Sequence, residues 1–183
     1  YKFNRIIKIY PSHKNIDYVY YMRAVSYFEQ ISGENFDGKS NREAKKNFQE
    51  LLNRFPDSEY AKDSRQKLIF IEENIAAKNM EVAIFYLKQK QYLAALGRYN
   101  KVIEEYPKSK FIPEALYRLV EIYTILGMKE EAEKAASVIV YNYPQSKWYE
   151  DSYNLINEEY YKKNKTNLGK KILNLFKKNE SKE

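Results

Sequence analysis

Four times along the chain an aromatic residue is followed by proline: Tyr10-Pro11, Phe55-Pro56, Tyr106-Pro107 and Tyr143-Pro144. A helical pattern precedes each pair and another follows it. Proline disfavours helix in the residue before it, so each preceding helix must stop at the aromatic residue. Serine comes close behind, at Ser58, Ser109 and Ser146 two residues after the proline, and at Ser12 directly after Pro11, where His13 follows. A serine there can accept a hydrogen bond from a free helix N–H, so every punctuator predicts a stop and a capped restart. With only five glycines and five prolines in 183 residues, long helices with short turns are favoured over a many-stranded sheet.

The punctuators also carry fixed offsets. Twelve residues before the last three prolines stand Ala44, Ala95 and Ala132, and eight before them Phe48, Tyr99 and Ala136; Phe3 holds the second offset before Pro11. Twenty-one before the last two stand Tyr86 and Tyr123, with Ala83 and Val120 in the small position of the same helices. Small residues let paired helices approach, and large ones fill the space between. This is the layout of a tetratricopeptide array, so the expected fold is all-α, a right-handed superhelical solenoid of helical hairpins. The expected helices are 1–9, 12–32, 40–54, 58–88, 91–105, 109–126, 129–142 and 146–162, with a kink or break in the long one near Asn74–Lys78. From Ala24 to Ala44 is eight residues longer than from Ala83 to Ala95, which predicts an inserted loop at about 32–41, either functional or a solvated excursion.

The formal charge of +7 is unevenly placed. Residues 162–183 hold eight Lys against two Glu, a net of +6, so the repeat array of 1–161 is close to neutral. A nucleic-acid partner is therefore not expected, because such a body would carry its own basic stripe. The basic tail, 162–183, is open to three readings: a solvating tail, a lipid-touching amphipathic helix through Ile172, Leu173, Leu175 and Phe176, or a partner-docking segment. No window is apolar enough for a membrane-spanning helix. With no cysteine and His13 as the one histidine, nucleophilic devices, zinc clusters and phosphate-binding glycine loops are all missing, so no enzyme, cofactor or metal is expected. Adjacent glutamates such as Glu104-Glu105 point to different helix faces and read as solvated surface. Trp148 reads as an end-cap of the core.

Placing Ala24, Ala83 and Val120 in register puts three sets of side chains on the inner face of the array. The first is Tyr18, Tyr21, Val25 and Phe28; the second Met80, Ile84, Leu87 and Lys88; the third Tyr117, Glu121, Thr124 and Ile125. The first two are apolar and aromatic, which suits a groove for an aromatic-rich peptide. Packing against neighbouring repeats is the competing reading.

Several stretches resemble the BamD (ComL/YfiO) family of tetratricopeptide lipoproteins that serve outer-membrane β-barrel assembly. They run from Ala44 to Ala61 (AKKNFQELLNRFPDSEYA), Val82 to Lys88 (VAIFYLK) and Tyr92 to Arg98 (YLAALGR), with Glu114-Ala115-Leu116 and Leu126-Gly127. The resemblance implies a scaffold at the periplasmic face of the outer membrane, held by an N-terminal lipid anchor that would lie before this sequence, whose first repeat is represented only by its second helix. It also implies unfolded barrel proteins as substrates, received by Tyr18, Tyr21, Val25, Phe28, Met80, Ile84 and Leu87. A BamA-type barrel subunit would dock on the later repeats, at Tyr117, Glu121, Thr124, Ile125 and Lys129. The family's arginine after the second tyrosine is replaced here by Thr124, which puts that salt bridge in doubt. The alternative is another periplasmic adaptor, serving envelope division or pilus and secretin assembly.

Overall fold

The computed structural model describes residues 2–31 and 38–163, with side chains through residue 157. All regular structure among the described residues is helical: α1 Lys2–Ile9, α2 Ile16–Phe28, α3 Gly38–Arg54, α4 Ala61–Lys88, α5 Tyr92–Glu105, α6 Ile112–Ile125, α7 Lys129–Asn142 and α8 Lys147–Lys163. The chain forms two compact units, divided within α4 between Glu81 and Val82. The tail beyond residue 163 and most of the expected inserted loop, 32–37, lie outside the described residues.

The punctuators build a turn before each helix and not a helix cap. Phe55, Tyr106 and Tyr143 each accept a hydrogen bond from the N–H of the serine three residues on, at 3.2, 2.9 and 3.1 Å. The carbonyls of Ser58 and Ser109 then receive the N–H of Ala61 and Ile112, the first residues of α4 and α6. The hydroxyls of Ser58 and Ser109 accept from the N–H of Tyr60 and Phe111, two residues on, so they close the turn itself. That extra turn moves the starts of α4 and α6 three residues later than expected. The same construction occurs at Tyr10-Pro11, but there His13 takes the serine's place. Its N–H donates to Tyr10, its carbonyl receives Ile16, and its Nδ1 accepts from the N–H of Asn15 at 3.2 Å. This is why α2 begins at Ile16 and not at 12.

In the first unit, α2, α3 and the start of α4 enclose Ala24, Ile31, Ala44, Phe48 and Ile71. A second cluster of Ile16, Tyr20 and Leu51 is flanked by Ile7, which brings α1 onto it. Helix α2 stops at Phe28, four residues early, because Gln30 and Ile31 turn tightly onto the carbonyls of Tyr27 and Phe28, and Ile31 drops into the core. Helix α3 starts at Gly38, so the end of the expected loop is its first turn, with Asn41 buried. No break interrupts α4 near Asn74–Lys78; Asn79 instead returns its side-chain N–H to the carbonyl of Ile75 at 2.9 Å.

In the second unit, α5, α6, α7 and α8 pack through Ala95, Ala115, Ala132, Ala135 and Ala136, together with Tyr99, Val102, Val120, Ile122 and Ile139. All three small positions read from the sequence as first-helix markers, Ala24, Ala83 and Val120, are fully buried. The α4–α5 and α6–α7 turns share one hydrogen-bond pattern. Gln91 and Met128 reach back to the carbonyls of Tyr86 and Tyr123, and Lys90 and Gly127 to those of Leu87 and Thr124. That closure needs a left-handed residue, here Lys90 at φ 57° and Gly127 at φ 74°.

Candidate functional site

The aromatic face expected on α2 exists, and it is organised by α4. Tyr21 stacks on Tyr60 with ring centres 4.7 Å apart, and its hydroxyl donates to Asp63 Oδ2 at 2.8 Å. Tyr18 leans on the same Tyr60 at 5.5 Å. Two turns further along α2, Phe28 meets Phe48 and Phe70 edge-on, with the Lys67 ammonium 5.3 Å from its ring centre. Lys67 also bonds Asp63 at 3.0 Å, so one ion pair joins the two ring groups. Burial pushes the Tyr21 hydroxyl up to about 12, reinforced by its hydrogen bond to Asp63.

These residues differ in what they leave open. Tyr18 is 46% exposed, and Ile69 and Phe70 on α4 are more than half exposed. Tyr21, Val25 and Phe28 are half-buried and pack on the first-unit core. Met80 is only 4% exposed, so it is interior and offers no contact area in this chain. Ala76, one turn before it on α4, is fully buried as well, so this side of the helix is turned inward. Ile84 and Leu87, in the second unit, are half-buried. The sequence missed Tyr60, Phe70 and Lys67; the signal for them was the 3.6-residue spacing of Tyr60, Asp63, Lys67 and Phe70, which places all four along one side of the chain entering α4.

The residues expected to dock a partner split into two groups. Tyr117 and Glu121 are engaged inside the second unit. The Tyr117 ring lies 5.1 Å from that of Trp148, and Glu121 accepts from Arg118 at 2.9 Å. Thr124 is half-buried, whereas Ile125 is 53% exposed and Lys129 exposed at the tip of the α6–α7 hairpin. Leu126 and Met128, also exposed there, extend Ile125 into an apolar tip around Gly127. Among the described residues no group of three or more His, Cys, Asp or Glu could hold a metal ion, and no helix is long and apolar enough to cross a membrane.

Residues 1–139 match the family described as YfiO, an outer membrane lipoprotein. The chain is 39% identical over 155 residues to the outer membrane protein assembly factor BamD of Caulobacter vibrioides, covering 85% of this chain and 51% of that protein. It is 41% identical over 153 residues to BamD of Rickettsia prowazekii, covering 84% and 61%. BamD of Xylella fastidiosa is 33% identical over 155 residues, covering 79% and 53%. The chain thus spans about half to three-fifths of the length of these curated relatives. With a family match over residues 1–139 and helical hairpins at the spacing its prolines announce, the chain belongs to the YfiO family of outer membrane lipoproteins.

Proposed function

We propose that this chain is the repeat scaffold of an outer-membrane protein assembly factor, acting by binding and not by catalysis at the periplasmic face of the outer membrane. The observation that carries this reading is the identity of 39 and 41% to two proteins named outer membrane protein assembly factor BamD. Unfolded barrel proteins are the substrates in this reading. The first unit supplies a suitable face in Tyr18, Tyr21, Phe28 and Phe70, rings that give large contact area with few rotatable bonds. A BamA-type barrel subunit is the partner, and Ile125 with Thr124, Lys129, Leu126 and Met128 is the docking area. Tyr117 and Glu121 support that area from within. Anchoring at the membrane is by a lipid in this reading.

Two binding measurements test the reading. The chain should retain the periplasmic domains of its own organism's BamA-type subunit in a pull-down, and Ile125→Asp should weaken that retention at least tenfold. Fluorescence anisotropy should show a labelled barrel-protein C-terminal peptide, ending in an aromatic residue, bound at micromolar to millimolar concentration and weakened by Tyr18→Ala. Failure to retain the subunit at all would remove the assembly reading and leave that of a different envelope adaptor.

A further inference from the structure

The second unit holds one cation that the sequence reading passed over. Arg118 lies in the middle of α6, with its side chain about three-quarters covered. It reaches Glu121 at 2.9 Å and Glu114 at 3.7 Å, one turn away on either side. Its guanidinium carbon also stands 5.4 Å from the ring centre of Tyr117 and 5.7 Å from that of Trp148. Burial opposes the charge on Arg118, but Glu121 and Glu114 outweigh it and hold the group charged, above its ordinary value. Trp148 belongs to the first turn of α8, so the guanidinium bridges two helices.

Beyond its first turn, α8 packs along α6 and α7 with few fully buried side chains. Of its described side chains only Ser152 and Ile156 are buried, against six on α6. The Ser152 hydroxyl is spent on the carbonyl of Trp148, within its own helix. Trp148 instead meets Tyr117, Arg118 and the Lys147 ammonium, which stands 4.3 Å from its ring centre. A cation over a partly dried indole contributes about as much as burying one aliphatic side chain. Two groups at this seat remain unspent: Tyr99 Oη, fully buried on α5 and close enough to feel the charge of Arg118, and Arg118 Nε have no hydrogen-bond partner.

We propose that Arg118 is a positioning residue that latches α8 onto α6 through the face of Trp148, and that α8 opens as a separate element from α5, α6 and α7. Glu114 and Glu121 aim the guanidinium, the guanidinium and Tyr117 hold the indole, and the indole ties the first turn of α8 to α6. A planar guanidinium can stack on a ring while its edge bonds carboxylates, which an ammonium cannot do. Opening the latch bares Tyr117. The inference rests on the geometry of the second unit and holds whichever partner docks there.

Trp148 is the one tryptophan in the chain, so it reports on its own seat. In Arg118→Met and Arg118→Lys, Trp148 emission should shift to the red. Amides of residues 147–157 should exchange with deuterium at least tenfold faster, while those of α5, α6 and α7 keep their rates. Trp148→Leu, which leaves Arg118 with its glutamates, should accelerate the same α8 amides and decides the matter if the Arg118 variants misfold. The proposal is overturned if α5–α7 accelerate in step with α8, which marks an ordinary core residue. Full retention of the α8 rates in Arg118→Lys would overturn it too, since a point charge would then suffice, as would unchanged rates in Trp148→Leu.

Discussion

Between α2, α3 and the start of α4, the first unit is filled by rings: Phe48 at the centre, with Tyr21 and Phe28 against it and Tyr60 and Phe70 beyond. The second unit closes its helix pairs on alanines, with Ala95 on α5, Ala115 on α6 and Ala132, Ala135 and Ala136 on α7. The proline offsets are the same in both, yet the eight-before position is Phe48 in one and Ala136 in the last repeat of the other. Ring-filled space fails when a ring is removed, because the surroundings collapse only in part. Alanine-spaced helices fail when a larger side chain forces them apart. The same backbone plan therefore has opposite weak points in its two halves.

The largest effect expected from this difference is that of Phe48→Ala. Phe48 is fully buried and touches two rings, so its loss should destabilise the first unit by about 3–5 kcal/mol. Urea unfolding followed by circular dichroism measures it, and a loss below about 1 kcal/mol would mean the rings close over the gap and the contrast fails. The counterpart is Ala95→Leu, at a fully buried site on α5. It should cost about 1–3 kcal/mol through overpacking, read from Trp148 fluorescence in urea. If Ala95→Leu is neutral, the second unit has slack that its alanines hide.

A smaller effect sharpens the comparison within the second unit. The α4–α5 and α6–α7 turns close alike, but one uses Lys90 and the other Gly127 at the left-handed position. A side chain there costs about 1–2 kcal/mol, partly offset by the greater freedom glycine has when unfolded. Lys90→Gly should therefore stabilise by about 0.5–1 kcal/mol and Gly127→Ala destabilise by about 1 kcal/mol. An added Cβ at Gly127 meets no atom within 4 Å, so its cost would be backbone strain alone. Thermal unfolding of the two variants should show shifts of opposite sign.

What could be read from the sequence followed the backbone's strongest constraints. Proline offsets located α3, α5 and α7, and the small positions at Ala24, Ala44, Ala83, Ala95, Val120 and Ala132 are all buried. The misreadings came where a polar residue does interior work. Asn41 stood where the expected loop and the expected helix 40–54 overlap, and it is buried in the first turn of α3. Arg118 drew no reading at all, yet its guanidinium reaches Glu114, Glu121 and the Trp148 ring of another helix, contacts that depend on rotamers which spacing does not reveal. Met80 failed in the other direction. An apolar residue at a groove-facing register and one at a core-facing register have the same spacing, and only burial in the folded chain separates them. The rings of α2 stand against Tyr60 and Phe70, which come from beyond the second punctuator and could not be paired with α2 by spacing.

The smallest effect separates the two units by why their tyrosines resist ionisation. Tyr21 in the first unit and Tyr99 in the second are both pushed up to about 12. Burial leads in each case. For Tyr21 the hydrogen bond to Asp63 adds to it, whereas Tyr99 has no hydrogen bond, and the Arg118 charge that favours its ionised form is outweighed by burial and by Glu114 and Glu121. A phenol is neutral when protonated, and the unfolded chain releases that proton near pH 10. The stability these groups contribute is therefore fully present below about pH 10 and is lost as pH rises from about 10 to 12. Absorbance at 295 nm during alkaline titration should show late-titrating tyrosine that diminishes in Tyr21→Phe and in Tyr99→Phe. Asp63→Asn removes a carboxylate but no buried ring, so it should advance the ionisation of Tyr21 and leave Tyr99 unmoved. Should Asp63→Asn leave Tyr21 late as well, its resistance would be burial alone, and the two units would protect their tyrosines in the same way.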